Sequence, residues 1–392
     1  MSLKDKAKEP PAKPVGTTGK SEESSDGSKS VTAVRTRPIT LADARNWITS
    51  TGDDPDDYTL SIRSIAYGEG LFSNRMSAVP KRAIASKAEY DLDPVGILAK
   101  IREGNGKPGK FKVATDGEES TFVISINDIQ LGQSYNGGSD ATIKNFHRFI
   151  ESARKRILEL RKIGRNLERL VIVCGGDLVE GCTIYPNMSF NLDLNRKQQL
   201  EGVVALLLHA IDTLAPMFTA VTVLACKGNH GENRINGKMT TIDDNDDTHT
   251  VEMVKLALVR DKSMQHIDWI IAGDEAAVWC DVHGWTLVTT HGDVFAKGVS
   301  GPTTERKAHL WLKNMAAAVR KFGRVGRADV LITHHFHHDE MADWGDTLWR
   351  QTSSQDRGSL GFSQATGTYS EPGMLTGVIT PSSRWQDEAV LR

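Results

Sequence analysis

The sequence predicts an α/β fold: mixed β-sheets flanked by helices, with a functional site at the carboxyl ends of the strands. Short apolar runs alternate with longer amphipathic stretches, the order that gives largely parallel strands with helices on their faces. The run 170–174 (LVIVC) is continuously apolar, as suits a strand covered on both sides, and it stops at Gly175-Gly176-Asp177. Four other apolar runs end in the same manner, each delivering Asp, Asn, Gln or His. Satisfied core histidines account for one or two such strand ends, not for five.

Length and composition set the frame. A chain of 392 residues has room for two domains or one large one. Its 39% hydrophobic and 25% charged residues are ordinary for a globular protein. The net charge of −2 excludes a globally basic nucleic-acid binder, so any such surface must be a local patch. Cys174, Cys182, Cys226 and Cys280 form no CxxC pair. Three of them lie in or beside apolar strands and read as small buried hydrophobes, which fits a reducing, cytoplasmic setting. No apolar run approaches a membrane-spanning length and the N-terminus lacks the apolar core of a secretory signal, so no membrane partner is expected.

Residues 1–30 are rich in Lys, Glu, Ser, Pro and Gly and read as a disordered tail. Residues 31–118 read as a small accessory domain with no chemical motif: a short helix capped by Thr40, an acidic turn over 52–57, a strand over 58–65 and a basic second half with Lys81, Arg82, Lys87, Lys100 and Arg102. Lys107-Pro-Gly109 reads as the linker into the main domain, 119–392. That domain opens with strand 121–127, which runs into Asp128-Ile-Gln130. A Gly/Ser loop over 132–139 leads into a long helix whose apolar stripe is Ile143, Phe146, Ile150, Ala153, Ile157 and Leu160. Its other face carries Arg154, Lys155, Arg156, Arg161, Lys162 and Arg165, a solvated face or a phosphate-contacting one. After the Asp177 strand come a helix over 196–214 and a strand over 221–226 that ends in Gly228-Asn229-His230. The acidic run 240–247 reads as a solvated helix entry. Next come strand 268–272, a hairpin of 277–282 with 285–290 turning at Gly284, and the strand end His291-Gly292-Asp293. A basic helix over 305–322 precedes strand 329–333 and the cluster His334, His335, His337, His338. The apolar segment 374–379 can return a last strand to the sheet.

Collected, the strand ends supply Asp128, Gln130, Asp177, Asn229, His230, His291, His335 and His337. Carboxylate and amide oxygens mixed with imidazole nitrogens suit first-row divalent ions better than calcium or thiolate zinc. The set exceeds the roughly four ligands of one structural metal. It suffices for two ions sharing a carboxylate, which would clamp the oxygens of an in-line displacement.

The order D-x-[H/Q], G-D, G-N-H, H-G and H-x-H resembles that of the calcineurin-like metallophosphoesterases, and within them the SbcD-type (Mre-eleven-like) DNA repair exonucleases in a phage or prophage form. The resemblance spans 121–379. It implies a calcineurin-like core in which Asp128, Gln130 and His337 hold one ion, Asn229, His291 and His335 hold a second, and Asp177 bridges both. It further implies that His230 stabilises or protonates the departing oxygen while a metal-bridging hydroxide attacks phosphorus. The implied cofactors are two divalent metal ions, Mn2+ first, with Mg2+, Fe2+ or Zn2+ as alternatives. Gln130 stands where the family usually has histidine, which weakens that ion and favours a harder one. His334 stands where relatives have glycine, and a packed role suits it better than a third imidazole at the site.

The function expected is a two-metal phosphodiesterase acting on DNA, exonuclease or endonuclease, in the cytoplasm of a bacterial host if phage-encoded. The partners expected are single- or double-stranded DNA and, left open, a homodimer or an SbcC-type ATPase, since little chain follows the last predicted strand. The alternatives are a phosphoesterase for a cyclic nucleotide or a phosphoprotein, and a catalytically inactive nucleic-acid-binding module.

Overall fold

Strand order follows the apolar runs. The structure, a computed structural model, describes residues 21–23, 29–66, 71–80, 117–184, 188–296, 302–356 and 371–392. Contacts divide the chain into two units, Met1–Asp91 and Leu92–Arg392.

The first unit holds an antiparallel sheet of order β1-β2-β4-β3, from β1 (Ser21–Glu23), β2 (Lys29–Arg35), β3 (Tyr58–Ala66) and β4 (Phe72–Pro80), with helix α1 (Leu41–Ser50). Thr40 caps α1 reciprocally: its hydroxyl accepts from Asp43 N and its own N–H donates to Asp43 Oδ2. Val31, Ile39, Ala44 and Met76 make a small core. Strand β1 and the start of β2 lie within the stretch expected as a tail. The expected linker at Lys107 and the basic positions 81–102 fall outside the described residues.

The second unit contains β5 (Glu119–Ile126), α2 (Gly138–Lys162), β6 (Asn166–Cys174), α3 (Arg196–Leu214), β7 (Ala220–Ala225), β8 (Arg234–Ile235), β9 (Lys238–Met239), α4 (Asp246–Leu258), β10 (Ile267–Ile271), β11 (Ala277–Val282) and β12 (Trp285–Thr290). It continues with α5 (Asp293–Ala296), α6 (Pro302–Ala317), α7 (Val319–Phe322), β13 (Val330–Thr333), β14 (Glu340–Asp343), β15 (Leu348–Gln351), β16 (Met374–Thr380) and β17 (Ser383–Leu391). Two large mixed sheets result, of order β10-β7-β6-β5-β16-β17 and β11-β12-β13-β15-β14. β5, β6, β7 and β10 run parallel, as do β12, β13 and β15. The C-terminal segment returns as β16, antiparallel to β5.

Alternation along the strands builds the layers. In β5, Phe122, Ile124 and Ile126 face Phe146, Phe149 and Ile150 of α2 and Val203 and Leu207 of α3. Val123, Val171, Val173 and Leu224 point the other way, onto Val278, Cys280, Leu287, Val330 and Ile332 of the second sheet. The outer face of that sheet packs Val288, Leu331 and Trp349 against Phe295, Ala308 and Leu312. Both sheets therefore send their parallel strands toward one end. Mixed sheets flanked by helices with polar donors at strand carboxyl ends fit an α/β metallophosphoesterase fold.

Two expectations change. α3 with its one-turn extension, Arg196–Met217, is long and apolar enough to cross a membrane, yet it packs in the core with Val203, Leu206, Leu207, Ala210 and Leu214 buried. Its near-continuous hydrophobicity reflects cover by α2 and α4. Three arginines of α2 and the turn after it are engaged in the fold, while Lys144, Arg148, Lys155 and Lys162 are exposed. Arg161 donates to Leu167 O and Met217 O, Arg154 forks onto Glu151 and Arg165 pairs with Asp387.

Phe149 is fully buried whereas Phe322 is 41% exposed. Phe149→Ala should lower unfolding free energy by about 3–5 kcal/mol in urea titrations, and Phe322→Ala by less than about 1 kcal/mol. Equal costs would contradict this layering.

Candidate metal centre

Both sheets deliver their strand ends to one place. From the first sheet come Asp128 and Gln130 after β5, Asp177 and Glu180 after β6, and Asn229 and His230 after β7. From the second come His291 after β12 and His335 and His337 after β13. The loops touch at backbone distance. A Cβ on Gly176 (φ +84°) would meet Gly228 N at 2.6 Å, and one on Gly175 would strike the His334 ring. Asp128, Gln130, Asp177, His335 and His337 have φ between 45° and 75°, five of the nine non-glycine residues with positive φ among the described residues. Such backbone persists only where its surroundings over-determine it. Here Asp128 N donates to Gly176 O at 3.0 Å and Gln130 N to Asp177 O at 2.9 Å.

Asp177, His291 and His335 present ligand atoms within 4.8 Å of one another. His291 Nδ1–H donates to Gly175 O (2.9 Å), which aims the Nε2 lone pair into the cluster. That Nε2 stands 3.0 Å from Asp177 Oδ2, 3.2 Å from Asn229 Oδ1 and 3.2 Å from His335 Nδ1. Acceptors converging in this way require a positive charge among them. Without a metal the protein supplies a proton: burial opposes it, but Asp177 and Asp128 hold His291 charged far above the ordinary histidine range. His335, pushed down to about 3 by burial and by His291, stays a neutral donor.

Asp128 and His337 form the neighbouring half. His337 Nε2 lies 3.3 Å from Asp128 Oδ1, a fully buried oxygen that accepts no hydrogen bond among the described residues. Burial disfavours the His337 cation, yet Asp128 raises it to about 9. This oxygen and the acceptors around His291 are the donor set of divalent cations. The Gln130 side-chain amide lies 3.4 Å from His230 Nε2.

His230 is held from behind. Its Nδ1 is 2.9 Å from Glu180 O and 3.3 Å from Glu180 Oε2, so Nδ1–H donates there and Nε2 faces the site. Burial works against its charge, but Asp177 and Glu180 raise it to about 10. Its backbone N–H donates to Asp177 Oδ1 at 2.7 Å.

Sequence reading missed three participants. Glu180 sits three residues past Asp177, a spacing that could have flagged it. Asp247, expected in a solvated loop, is 1% exposed. Its Oδ2 accepts from Asp177 N and Gly228 N (both 3.0 Å) and its Oδ1 from Leu178 N (2.8 Å), tying the Asp177 loop to the Asn229 loop. The acidic run turns inward because α4 starts within it, capped by Asn245, while Asp246 takes a fork from Arg196. Asp356 follows β15, an element absent from the sequence reading, and its N–H donates to Asp128 O (3.2 Å). His334 is packed as expected, with one ring nitrogen on Thr289 Oγ1 (3.0 Å) and the other on Thr352 Oγ1 (2.8 Å).

No family model matches the chain, and no curated protein matches it. Among solved structures it is similar to a predicted phosphoesterase from Streptococcus pneumoniae TIGR4, at 13% identity over 69% of this chain and 98% of that one, TM-score 0.28. It is also similar to an archaeal phosphodiesterase, at 12% identity over 69% and 99%, TM-score 0.30. A third similarity is to vacuolar protein sorting 29 from Cryptosporidium parvum, at 10% identity over 67% and 86%, TM-score 0.27. With overlaps this low, the functional reading rests on the site itself.

Asp247→Asn would set an amide donor against backbone N–H groups. Manganese affinity measured by calorimetry should fall about 10–100-fold with the circular dichroism spectrum unchanged; undiminished affinity would deny Asp247 its positioning role. A second expectation concerns protons. A divalent cation held by these residues would take the place of the His291 proton, so manganese binding should release protons and tighten as pH rises. Calorimetry in buffers of different ionisation enthalpy reads this directly, and a buffer-independent heat would contradict it.

Proposed function

We propose that this protein is a two-metal phosphodiesterase acting on DNA. The observation that carries the reading is the pairing of a buried acceptor cluster, His291 Nε2 facing Asp177, Asn229 and His335, with His230 beside it, its Nδ1 held by Glu180 and its Nε2 left toward the site. Asp177, Asn229, His291 and His335 would hold one divalent cation and Asp128 and His337 the other, with Asp177 between them. Bound there, such ions supply charge stabilisation to a phosphodiester and lower the pKa of water. Manganese suits the mixed oxygen and imidazole donors.

The chain's own residues do the rest. His291 is oriented by Gly175 O and the Asp177 loop is clamped by Asp247. His230 presents Nε2–H to the oxygen that acquires charge as the phosphodiester breaks. Transfer of that proton leaves a neutral imidazole whose Nδ1–H remains on Glu180, so the ring keeps its orientation for the next turnover. For the nucleic acid, exposed Arg306, Lys313 and Arg320 on α6 and α7 provide phosphate contacts. The SbcD-type, phage-encoded character belongs to this same proposal and rests on motif order.

Labelled linear DNA incubated with manganese or chelator tests the activity, and two variants test the roles. His230→Ala should cut turnover roughly 10²–10⁴-fold with metal affinity retained and no recovery at high manganese. His335→Ala should lose metal affinity and regain much of its rate as manganese is raised. Full recovery of His230→Ala at high manganese would make His230 a ligand rather than a proton donor. No cleavage of DNA by the wild-type protein would overturn the proposal.

A further inference from the structure

One buried side chain beside the metal centre has a role that the strand-end donors leave open. Val123 faces the second sheet, and the period of two along a strand turns Ser125 and Asn127 the same way. Asn127 follows β5 directly and is fully buried. A buried amide must satisfy its donors and its acceptor inside the protein. Asn127 does so with three partners. Its Nδ2 donates to Asp128 Oδ2 at 2.7 Å and to Ser353 O at 3.0 Å, and its Oδ1 accepts from Ser125 Oγ at 2.9 Å. The amide fits only this way round. Turned over, its oxygen would face Asp128 Oδ2 and Ser353 O, which are both acceptors. The loop after β15 holds the same group from behind. Gln355 Nε2 donates to Ser125 O at 2.8 Å and Gln355 N to Asp128 O at 3.1 Å.

The consequence falls on Asp128. Its Oδ2 is taken by a neutral donor, which fixes the carboxylate without cancelling its charge. Its Oδ1 is the oxygen turned to His337 Nε2, at 3.3 Å, and accepts no hydrogen bond among the described residues. A cation in this half of the centre is thus offered one oxygen of Asp128 and one imidazole nitrogen. That offer discriminates between ions. Manganese accepts a mixture of oxygen and nitrogen donors. Calcium gathers roughly six to eight oxygens and readily takes both from one carboxylate.

We propose that Asn127 is a specificity-determining residue of the metal centre: by holding Asp128 Oδ2 it leaves a cation a single oxygen and so favours manganese over calcium. The assignment rests on the two-metal reading and adds the ion preference of that centre. Asn127 acts through Asp128 and is a positioning residue, not a ligand.

The test is calorimetric titration of the full-length, metal-free protein with manganese and, separately, with calcium. The wild-type protein should take up two manganese ions and bind calcium weakly. Asn127→Ala frees Asp128 Oδ2, so the affinity for one of the two manganese ions should fall about 10–100-fold while calcium affinity holds or rises. Asn127→Asp keeps the shape of the side chain, adds an oxygen, and should narrow the preference in the same sense. Ser125→Ala removes a hydrogen bond from the same buried network and should leave the preference unchanged, because Nδ2 keeps both its partners. A role confined to supporting the loop would weaken manganese and calcium together. An unchanged manganese-to-calcium ratio in both Asn127 variants, or an equal change in Ser125→Ala, would therefore overturn the assignment and leave the two-metal reading intact. Fewer than two manganese ions in the wild-type protein would overturn that reading, and the assignment with it.

Discussion

The rest of the site depends on burying the Asp177 carboxylate. An ionised carboxylate removed from water is costly unless it is surrounded by donors and positive charge. Asp177 is 1% exposed; Oδ1 takes the His230 N–H and Oδ2 faces His291. Burial pushes its pKa up, but His291 and His230 outweigh this and hold the group ionised well below the usual carboxylate range. The compensating charge is then itself buried. His291 cannot give up its proton without leaving acceptors face to face, unless a cation takes the proton's place. A metal centre is the arrangement in which both requirements are met at once.

Holding these groups together takes backbone as well as charge. Left-handed conformations at Asp128, Gln130, Asp177, His335 and His337 each cost on the order of 1–3 kcal/mol. Hydrogen bonds between loops offset them, and Asp247 contributes most visibly because one carboxylate accepts from both the Asp177 and Gly228 amides. Burial and then repulsion from Asp177 raise Asp247 to about 7, so the clamp itself is sensitive to charge nearby. His334, fixed between two threonine hydroxyls, braces the same region from the second sheet.

The surface is less generous with cations than the composition implies. Along α2, Arg161 satisfies a backbone carbonyl and Arg154 an acidic neighbour, as long amphipathic side chains often do. Arg324, after α7, is also taken, pairing with Asp281 and lying over Trp279. Arg306 and Lys313 of α6 and Arg327 of the turn before β13 are among the exposed cations. Because α6 packs on the outer face of the second sheet, these charges belong to the sheet that also carries His291 and His335.

Much of this architecture was legible in the chain. Continuous apolar runs marked the central strands, period-three-and-four stripes marked α2, and α3 runs over the residues its pattern predicted, because local burial patterns report which faces are covered. The candidate donors were legible for a related reason: a carboxylate or imidazole directly after a buried strand has few structural excuses. Tertiary structure alone decided how those donors are paired. It set Gln130 beside His230, placed Glu180 behind His230, and folded Asp247 inward from a stretch whose charge density reads as solvent-exposed. Each of these depends on where a loop meets another loop across the sheets, a contact between residues far apart in sequence that no local pattern encodes.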